Sequence, residues 1–131
     1  MKVLFVCRAN VGRSQAGTAL YNQIHPGDAD SAGTIVDNPD EKLGDKKGAE
    51  NIIEVMLEHG IDVVSNTRTQ INENMINQYD KVIVMAEPKT IPDWLRDSPK
   101  TEIWTIQDAK DQDIETTRRI VGEIEEKVKI L

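Results

Sequence analysis

The residues of this sequence with the clearest chemical potential lie between positions 7 and 14. Cys7 is the one cysteine of the chain, and Arg13 and Ser14 follow it six and seven positions later. A single cysteine cannot form an internal disulfide, so Cys7 is either core filler or a working thiol. Residues 1–27 contain Lys2, Arg8 and Arg13 but no Asp or Glu, in a chain whose formal charge is −7. This local positive charge favours the working thiol.

The segment after Cys7 has the composition of a loop that binds an oxyanion. Asn10 and Gly12 tolerate the left-handed backbone conformations of a tight turn. Successive N–H groups in such a turn form a concave nest, and the positive end of a following helix adds to its field. That field stabilises a thiolate, Arg13 can hold two oxygens of a tetrahedral anion, and Ser14 can hydrogen-bond the sulfur. We therefore predict a substrate-binding loop of Arg8, Ala9, Asn10, Val11, Gly12 and Ser14.

A nucleophile that faces a bound tetrahedral anion is the starting arrangement of covalent phosphoryl transfer. The loop is not a nucleotide-binding Walker loop, because the Gly-Lys-Ser/Thr ending is missing. The alternative is a buried structural cysteine, since cysteine is among the most buried residue types. The spacing from Cys7 to Arg13 alone does not distinguish a catalytic thiol from a structural cysteine.

The elements that must position this loop follow from the hydrophobic pattern. Residues 2–7 and 81–86 are continuous apolar runs, which is typical of strands buried on both faces of a parallel sheet. A shorter strand is predicted near 28–32 and a third clear strand at 102–106. Helical periodicity predicts helices at 13–24, around 49–57, near 70–77, around 91–96 and at the end of the chain. Strands that alternate with helices indicate a parallel sheet with helices on both faces.

The length and composition limit the class of protein. A chain of 131 residues predicts one domain, residues 1–131. The acidic balance argues against a nucleic-acid partner, and no run is long enough to span a membrane. One cysteine and no recognisable signal peptide predict a cytoplasmic protein. The turn-rich segment from Gly33 to Asp45 is the best candidate for a mobile surface loop.

The order of motifs resembles the low-molecular-weight protein tyrosine phosphatase family, whose fold is shared by thioredoxin-coupled arsenate reductases. The resemblance begins with Cys-(five residues)-Arg-Ser and continues, in the family's order, through the segments 30–34, 60–62, 79–85 and 104–108. It implies a four-stranded parallel sheet of order 2-1-3-4. It also implies Cys7 as nucleophile, Arg13 as transition-state ligand and Asp108 as general acid.

Several positions depart from the family's usual pattern. Gly12 stands where the phosphatases usually have a second cysteine, so no disulfide can form within the loop. Gln15 replaces the usual proline and is closer to the arsenate reductases, but the two further cysteines that those enzymes need are absent. Asp108 is followed by Ala109 instead of proline, and no aromatic wall is evident beside it. Arg8 occupies a place that is typically uncharged.

Structural roles explain the other notable residues of the sequence. Asp111 and Asp113 fit a capping role at the start of the last helix better than an acid role. His25 and His59 lie at predicted helix ends, and neither has metal-ligand spacing. We interpret Trp94 and Trp104 as packing residues. Arg118 and Arg119 are expected on a solvated helix face, and Arg68 is expected to position a loop. We predict no metal and no cofactor.

The resulting hypothesis is a cysteine-dependent phosphomonoester phosphatase of the protein tyrosine type, acting on a phosphorylated protein or a small aryl phosphate. Phosphate-like and sulfate-like oxyanions should bind the loop. Two alternatives remain open. One is an arsenate-processing enzyme that uses a small thiol, and the other is a non-catalytic oxyanion-binding protein of the same fold.

Overall fold

The computed structural model describes residues 1–131. Four parallel strands form the sheet: β1 (Val3–Cys7), β2 (Ala29–Gly33), β3 (Lys81–Val84) and β4 (Thr101–Ile103). The α-helices are α1 (Arg13–Ile24), α2 (Glu50–Glu58), α3 (Asp93–Arg96) and α4 (Ile114–Lys129). Short 3₁₀ segments lie at Leu43–Asp45, Glu73–Gln78 and Pro88–Thr90. The strand order is β2-β1-β3-β4, which confirms the topology implied by the resemblance.

Strand β1 lies at the centre of the sheet and is buried on both faces. Val3, Phe5 and Cys7 belong to the larger core cluster, which α1, α2 and α4 complete. Leu4 and Val6 belong to a smaller cluster on the opposite face, closed by side chains from the 73–78 segment and α3. This two-sided burial explains the uninterrupted apolar run that predicted the strand.

The strand predicted at 102–106 begins and ends earlier than expected. Strand β4 covers Thr101–Ile103 and pairs only with β3. Trp104 and Ile106 are buried in the core beyond the strand, and the carbonyl of Ile106 accepts a hydrogen bond from Arg13. Trp104 and Ile106 are therefore apolar because they are buried, although they lie outside the strand. The carbonyl of Ile106 is bound by the side chain of Arg13 and not by a neighbouring strand.

The helix predicted near 70–77 is a 3₁₀ segment, Glu73–Gln78, whose first turn is capped by the side chain of Asn72. The predicted mobile loop from Gly33 to Asp45 is tied to the segment 64–69 by backbone hydrogen bonds, and Leu43 within it is fully buried. None of the helices combines the length and the hydropathy needed to cross a lipid bilayer.

Candidate active site

Cys7 is the last residue of β1 and lies 3% exposed at the C-terminal edge of the sheet. Its Sγ is 3.0 Å from Ser14 Oγ. Asn10 Nδ2 donates to the same Ser14 oxygen at 2.7 Å, and Asn10 Oδ1 accepts from the backbone N–H of Thr69 at 2.7 Å. Because the amide of Asn10 occupies the Ser14 oxygen as an acceptor, the Ser14 hydroxyl is free to donate its hydrogen to a Cys7 thiolate.

The loop that follows Cys7 keeps its backbone donors unused. None of the N–H groups of residues 8–12 donates to an acceptor within the protein. Asn10 has φ = +57°, a left-handed conformation that its side chain stabilises by the hydrogen bonds described above. The next residues begin α1 at Arg13, so the helix presents its positive end to the loop. Five free N–H groups and a helix terminus form a site suited to an oxyanion.

Arg13 is 4% exposed and is held by groups that are distant in sequence. Its Nη1 donates to the carbonyls of Met85 at 2.6 Å and Ile106 at 3.0 Å, and its Nη2 donates to Glu87 Oε1 at 2.9 Å. Its Nε has no acceptor within the protein. The guanidinium plane is thus fixed from one side, which leaves Nε available to an anion in the loop.

Glu87 is the residue at this site that sequence reasoning missed. Its Oε1 pairs with Arg13, while its Oε2 is buried without a hydrogen-bond partner. The position lies three residues beyond the end of strand β3, at the same edge of the sheet as Cys7. That placement after a parallel strand is the signal that could have identified it.

Asp108 follows the last strand and lies beside Arg13. Its Oδ2 is 3.7 Å from Arg13 Nη2, and its Oδ1 accepts from the backbone N–H of Lys110 at 3.0 Å. The side chain is 45% exposed and lines the cavity, so its carboxyl is accessible to a bound ligand. Asp113 instead caps α4 by accepting from the N–H of Thr116, a contact that lowers its pKa. The capping interpretation of Asp113 agrees with this geometry, whereas Asp111 makes no cap and has φ = +61°.

Arg68 supports the loop from behind and is 1% exposed. Its Nε and Nη2 donate to the carbonyl of Ala9, at 3.2 and 3.0 Å, and its Nη1 donates to Glu41 at 2.7 Å. Asp37 pairs with it at 2.7 Å, and the Arg68 hydrogen bond lowers the pKa of Asp37. Arg68 therefore joins the 33–45 segment to the loop, in line with its expected positioning role.

These groups surround one cavity of about 490 Å³. The structure brings Cys7, Arg13 and Asp108 to its wall, together with the loop residues Arg8, Ala9, Val11 and Gly12. Asn10 within the loop and Ser14 at the start of α1 are fully buried, away from the cavity wall, and they hold the loop through the hydrogen bonds above. No aromatic side chain lines the cavity, which agrees with the missing aromatic wall in the sequence. The catalytic roles of these residues stay predictions.

Fold and site together define a class: α/β proteins that present a cysteine within an oxyanion-binding loop at the C-terminal edge of a parallel sheet. A sequence model described as low molecular weight phosphotyrosine protein phosphatase matches residues 2–131. The chain therefore belongs to the low molecular weight phosphotyrosine protein phosphatase family.

Individual relatives agree with this assignment. A probable low molecular weight protein-tyrosine-phosphatase, EpsP of Ralstonia solanacearum, is 29% identical over 84 residues, which cover 64% of this chain and 54% of that protein's length. Wzb of Vibrio vulnificus in complex with benzylphosphonate has the same fold, with TM-score 0.81, 24% identity, and coverage of 98% of this chain and 94% of that one. An arsenate reductase in the phosphate-binding state aligns with TM-score 0.78 and 26% identity over 99% of this chain and 95% of that one.

Proposed function

We propose that this protein hydrolyses phosphate monoesters, in the manner of a protein tyrosine phosphatase, through a cysteinyl-phosphate intermediate. The observation that carries the proposal is the setting of Cys7. Its sulfur lies at the base of a loop whose five N–H groups have no acceptor within the protein, beside a buried Arg13 with a free Nε. A nucleophile, an anion-binding surface and a fixed positive charge thus meet in one cavity.

In the first step the Cys7 thiolate attacks phosphorus. An S–P bond forms while the P–O bond to the leaving group breaks, and the electron pair of that bond passes to the departing oxygen. Asp108, at the cavity wall, donates a proton to this oxygen. The hydroxyl of Ser14 stabilises the thiolate before attack and again when sulfur leaves.

In the second step a water molecule attacks the phosphorus of the cysteinyl phosphate. Asp108, now a carboxylate, accepts the proton of the water as the O–P bond forms and the S–P bond breaks. Phosphate is released and the thiolate is regenerated. Throughout both steps the loop N–H groups and Arg13 stabilise the equatorial oxygens, where negative charge is concentrated.

The proposed substrates are phosphorylated proteins or small aryl phosphates. The structural relative in complex with benzylphosphonate and the relative in the phosphate-binding state support binding of tetrahedral oxyanions by this protein. Tyrosine as the phosphorylated residue rests on family membership, since no aromatic side chain lines the cavity. The proposed compartment is the cytoplasm, where a single thiol stays reduced.

The test is hydrolysis of a generic aryl phosphate by the wild-type protein and by Cys7→Ser. We expect turnover by the wild type, inhibition by vanadate, and no measurable turnover by Cys7→Ser, because a serine hydroxyl is not ionised at neutral pH. Circular dichroism of both proteins shows whether the variant is folded. A folded Cys7→Ser protein with near-normal kcat would overturn the covalent mechanism.

Arsenate reduction is the second candidate, because an arsenate reductase is among the similar structures and Gln15 resembles that group. The chain offers no second cysteine to displace an arsenic adduct from Cys7. Arsenate should therefore act as a competitive inhibitor of aryl phosphate hydrolysis, without arsenite formation from thioredoxin. Arsenite formation with a small thiol, together with negligible phosphate release, would favour this second function.

A further inference from the structure

Arg8 differs from every other arginine of this protein. Each of the other five lies within 4.0 Å of at least one carboxylate: Arg13, Arg68, Arg96, Arg118 and Arg119. Arg8 forms no ion pair and no side-chain hydrogen bond, although the chain contains 23 acidic residues. It is exposed, and it lines the same cavity as Cys7. A free guanidinium at the cavity of a protein with charge −7 needs an explanation.

The backbone of Arg8 is fixed in place. The carbonyl of Cys7 accepts from the N–H of Thr34, and that of Arg8 accepts from the N–H of Ile35, both at 2.8 Å. Gly33 lies so close that a Cβ there would be 2.7 Å from the Arg8 carbonyl oxygen. The Cα of Arg8 therefore stays next to the nucleophile, and its side chain lies within reach of groups attached close to the reacting phosphoryl group.

None of the carboxylates that line the cavity pairs with Arg8. Asp37 is paired with Arg68 and Lys46, Glu50 accepts from the N–H of Gly48, and Asp108 lies beside Arg13. Among the lining residues, Lys47 and Lys110 also have no ion pair, and Asp111 is the one acid without an ion pair or hydrogen bond. The unpaired charge at the cavity is therefore positive on balance.

We propose that Arg8 is a specificity-determining residue, which binds a second negatively charged group carried by the substrate next to its phosphoryl ester. This inference rests on the proposed function and specifies its substrate class: phosphoesters that bear a carboxylate or another phosphoryl group within one side chain's length. A guanidinium binds either group through two parallel N–H···O bonds. In the proposed mechanism the side chain of Arg8, unlike its backbone N–H, has no role at the reacting phosphorus, so its contribution is to select the substrate.

Two aryl phosphates test this directly: 4-(carboxymethyl)phenyl phosphate and its neutral carboxamide. The methylene group insulates the ring, so the two leaving groups are nearly equal and the ratio of their kcat/KM values reports recognition of the negative charge. We expect the wild type to prefer the carboxylate and Arg8→Gln to reduce that preference by about threefold to tenfold, the range between an exposed ion pair and a bidentate one. Arg8→Lys should retain part of it.

Lys129→Gln, at the far end of α4, has the same net charge as Arg8→Gln and is the matched control. It should keep the wild-type ratio, and added salt should reduce that ratio. Phosphotyrosyl peptides with Glu or Gln beside the tyrosine show whether the second charge can come from a neighbouring residue. Equal ratios in the wild type and Arg8→Gln, with good turnover of the carboxamide, would overturn this inference alone. If the wild type hydrolysed neither of the two probes, the proposed function would be overturned.

Discussion

Asp108 and Asp111 lie three positions apart on the chain, and their different surroundings separate their expected roles. Asp108 is close to Arg13, whereas Asp111 forms neither an ion pair nor a helix cap. A carboxyl beside the arginine that we propose to hold the phosphoryl group is well placed to protonate the leaving oxygen. The position of a single carboxyl relative to Arg13 thus decides which aspartate is expected to act as the acid.

We expect Asp108→Asn to lower kcat by on the order of 10²–10⁴, the usual contribution of a general acid. The loss should be largest for aryl phosphates with poor leaving groups, which depend most on protonation. Asp111→Asn is the control, because asparagine tolerates the left-handed backbone of that position. Steady-state kinetics over a series of leaving groups measures both variants, and a larger loss in Asp111→Asn would move the acid to that position.

Arg68 is another single residue whose removal should be measurable, because it holds the loop through the carbonyl of Ala9. Arg68→Met should lower the free energy of unfolding by about 3 kcal/mol, because it leaves the carbonyl of Ala9 and the carboxylate of Glu41 without their donor. It should also weaken vanadate binding, since the loop loses its support. Arg96→Met, which removes two exposed surface pairs, should change neither quantity appreciably. Urea denaturation and vanadate inhibition test both variants.

At the scale of elements, the close approach of α1 to β1 positions the loop between them. Gly17 of α1 faces the ring of Phe5, and a Cβ at Gly17 would lie 2.6 Å from Phe5 Cδ1. Phe5 is fully buried between Tyr21 and Trp104, with ring centroids 6.0 and 6.1 Å away. Because the ring is enclosed in the core, an added methyl group at Gly17 would push helix and strand apart, so this glycine permits their close approach.

Gly17→Ala should therefore destabilise the protein by about 1–3 kcal/mol, since overpacking of the core outweighs the better helix propensity of alanine. Gly122→Ala is the matched control in α4, where an added Cβ would contact nothing within 4 Å. That variant should gain about 0.4–1 kcal/mol. Urea denaturation curves measure both changes, and a Gly17→Ala protein as stable as Gly122→Ala would contradict this account of the packing.

At the scale of the whole molecule, hydrogen bonds and ion pairs lower the pKa of four carboxyl groups. Asp37 is bound by Arg68, and Glu58 is bound by Arg118. Glu102 accepts a hydrogen bond from the Trp104 indole, which has the larger effect, and one from Lys81. Asp113 accepts from Thr116. The Arg118–Glu58 pair joins α4 to α2, and the Lys81–Glu102 pair joins β3 to β4. These contacts depend on ionised carboxylates.

Stability should therefore decrease in acid. Because the folded-state pKa of each of these four groups lies below its unfolded value of roughly 3.9 for Asp or 4.3 for Glu, the unfolded chain binds protons first as the pH falls. The stabilisation is complete above those values and is lost as the pH drops through the folded pKa values. The urea midpoint of the wild type should decline between pH 6 and pH 3. The decline should be less steep in Glu58→Gln, which lacks one of these carboxyl groups. Glu73→Gln is the control, because the exposed carboxyl of Glu73 pairs with no cation, and it should decline like the wild type. A midpoint that rises towards pH 3 would contradict this.

The sequence by itself determined the parts of this protein that depend on local pattern. Continuous apolar runs identified β1 and β3, and helical periodicity identified α1, α2 and α4, because burial on one or two faces leaves its period in the chain. The spacing of Cys7, Asn10, Arg13 and Ser14 identified the loop, because a strand, a tight turn and a helix start bring these residues together within eight positions. The predicted end of β4 was wrong, because the buried apolar side chains Trp104 and Ile106 lie beyond the last residue of the strand.

Only the tertiary structure decided how the loop is held and what its charges face. The acceptors of Arg13 at Met85 and Ile106 are 72 and 93 positions away, and the carbonyl that Arg68 binds belongs to Ala9, 59 positions earlier. Whether Arg8 is paired or free likewise depends on where 23 acidic side chains lie in space. Such contacts form between strand ends brought together by the parallel sheet, and no local period in the sequence encodes which of those ends meet.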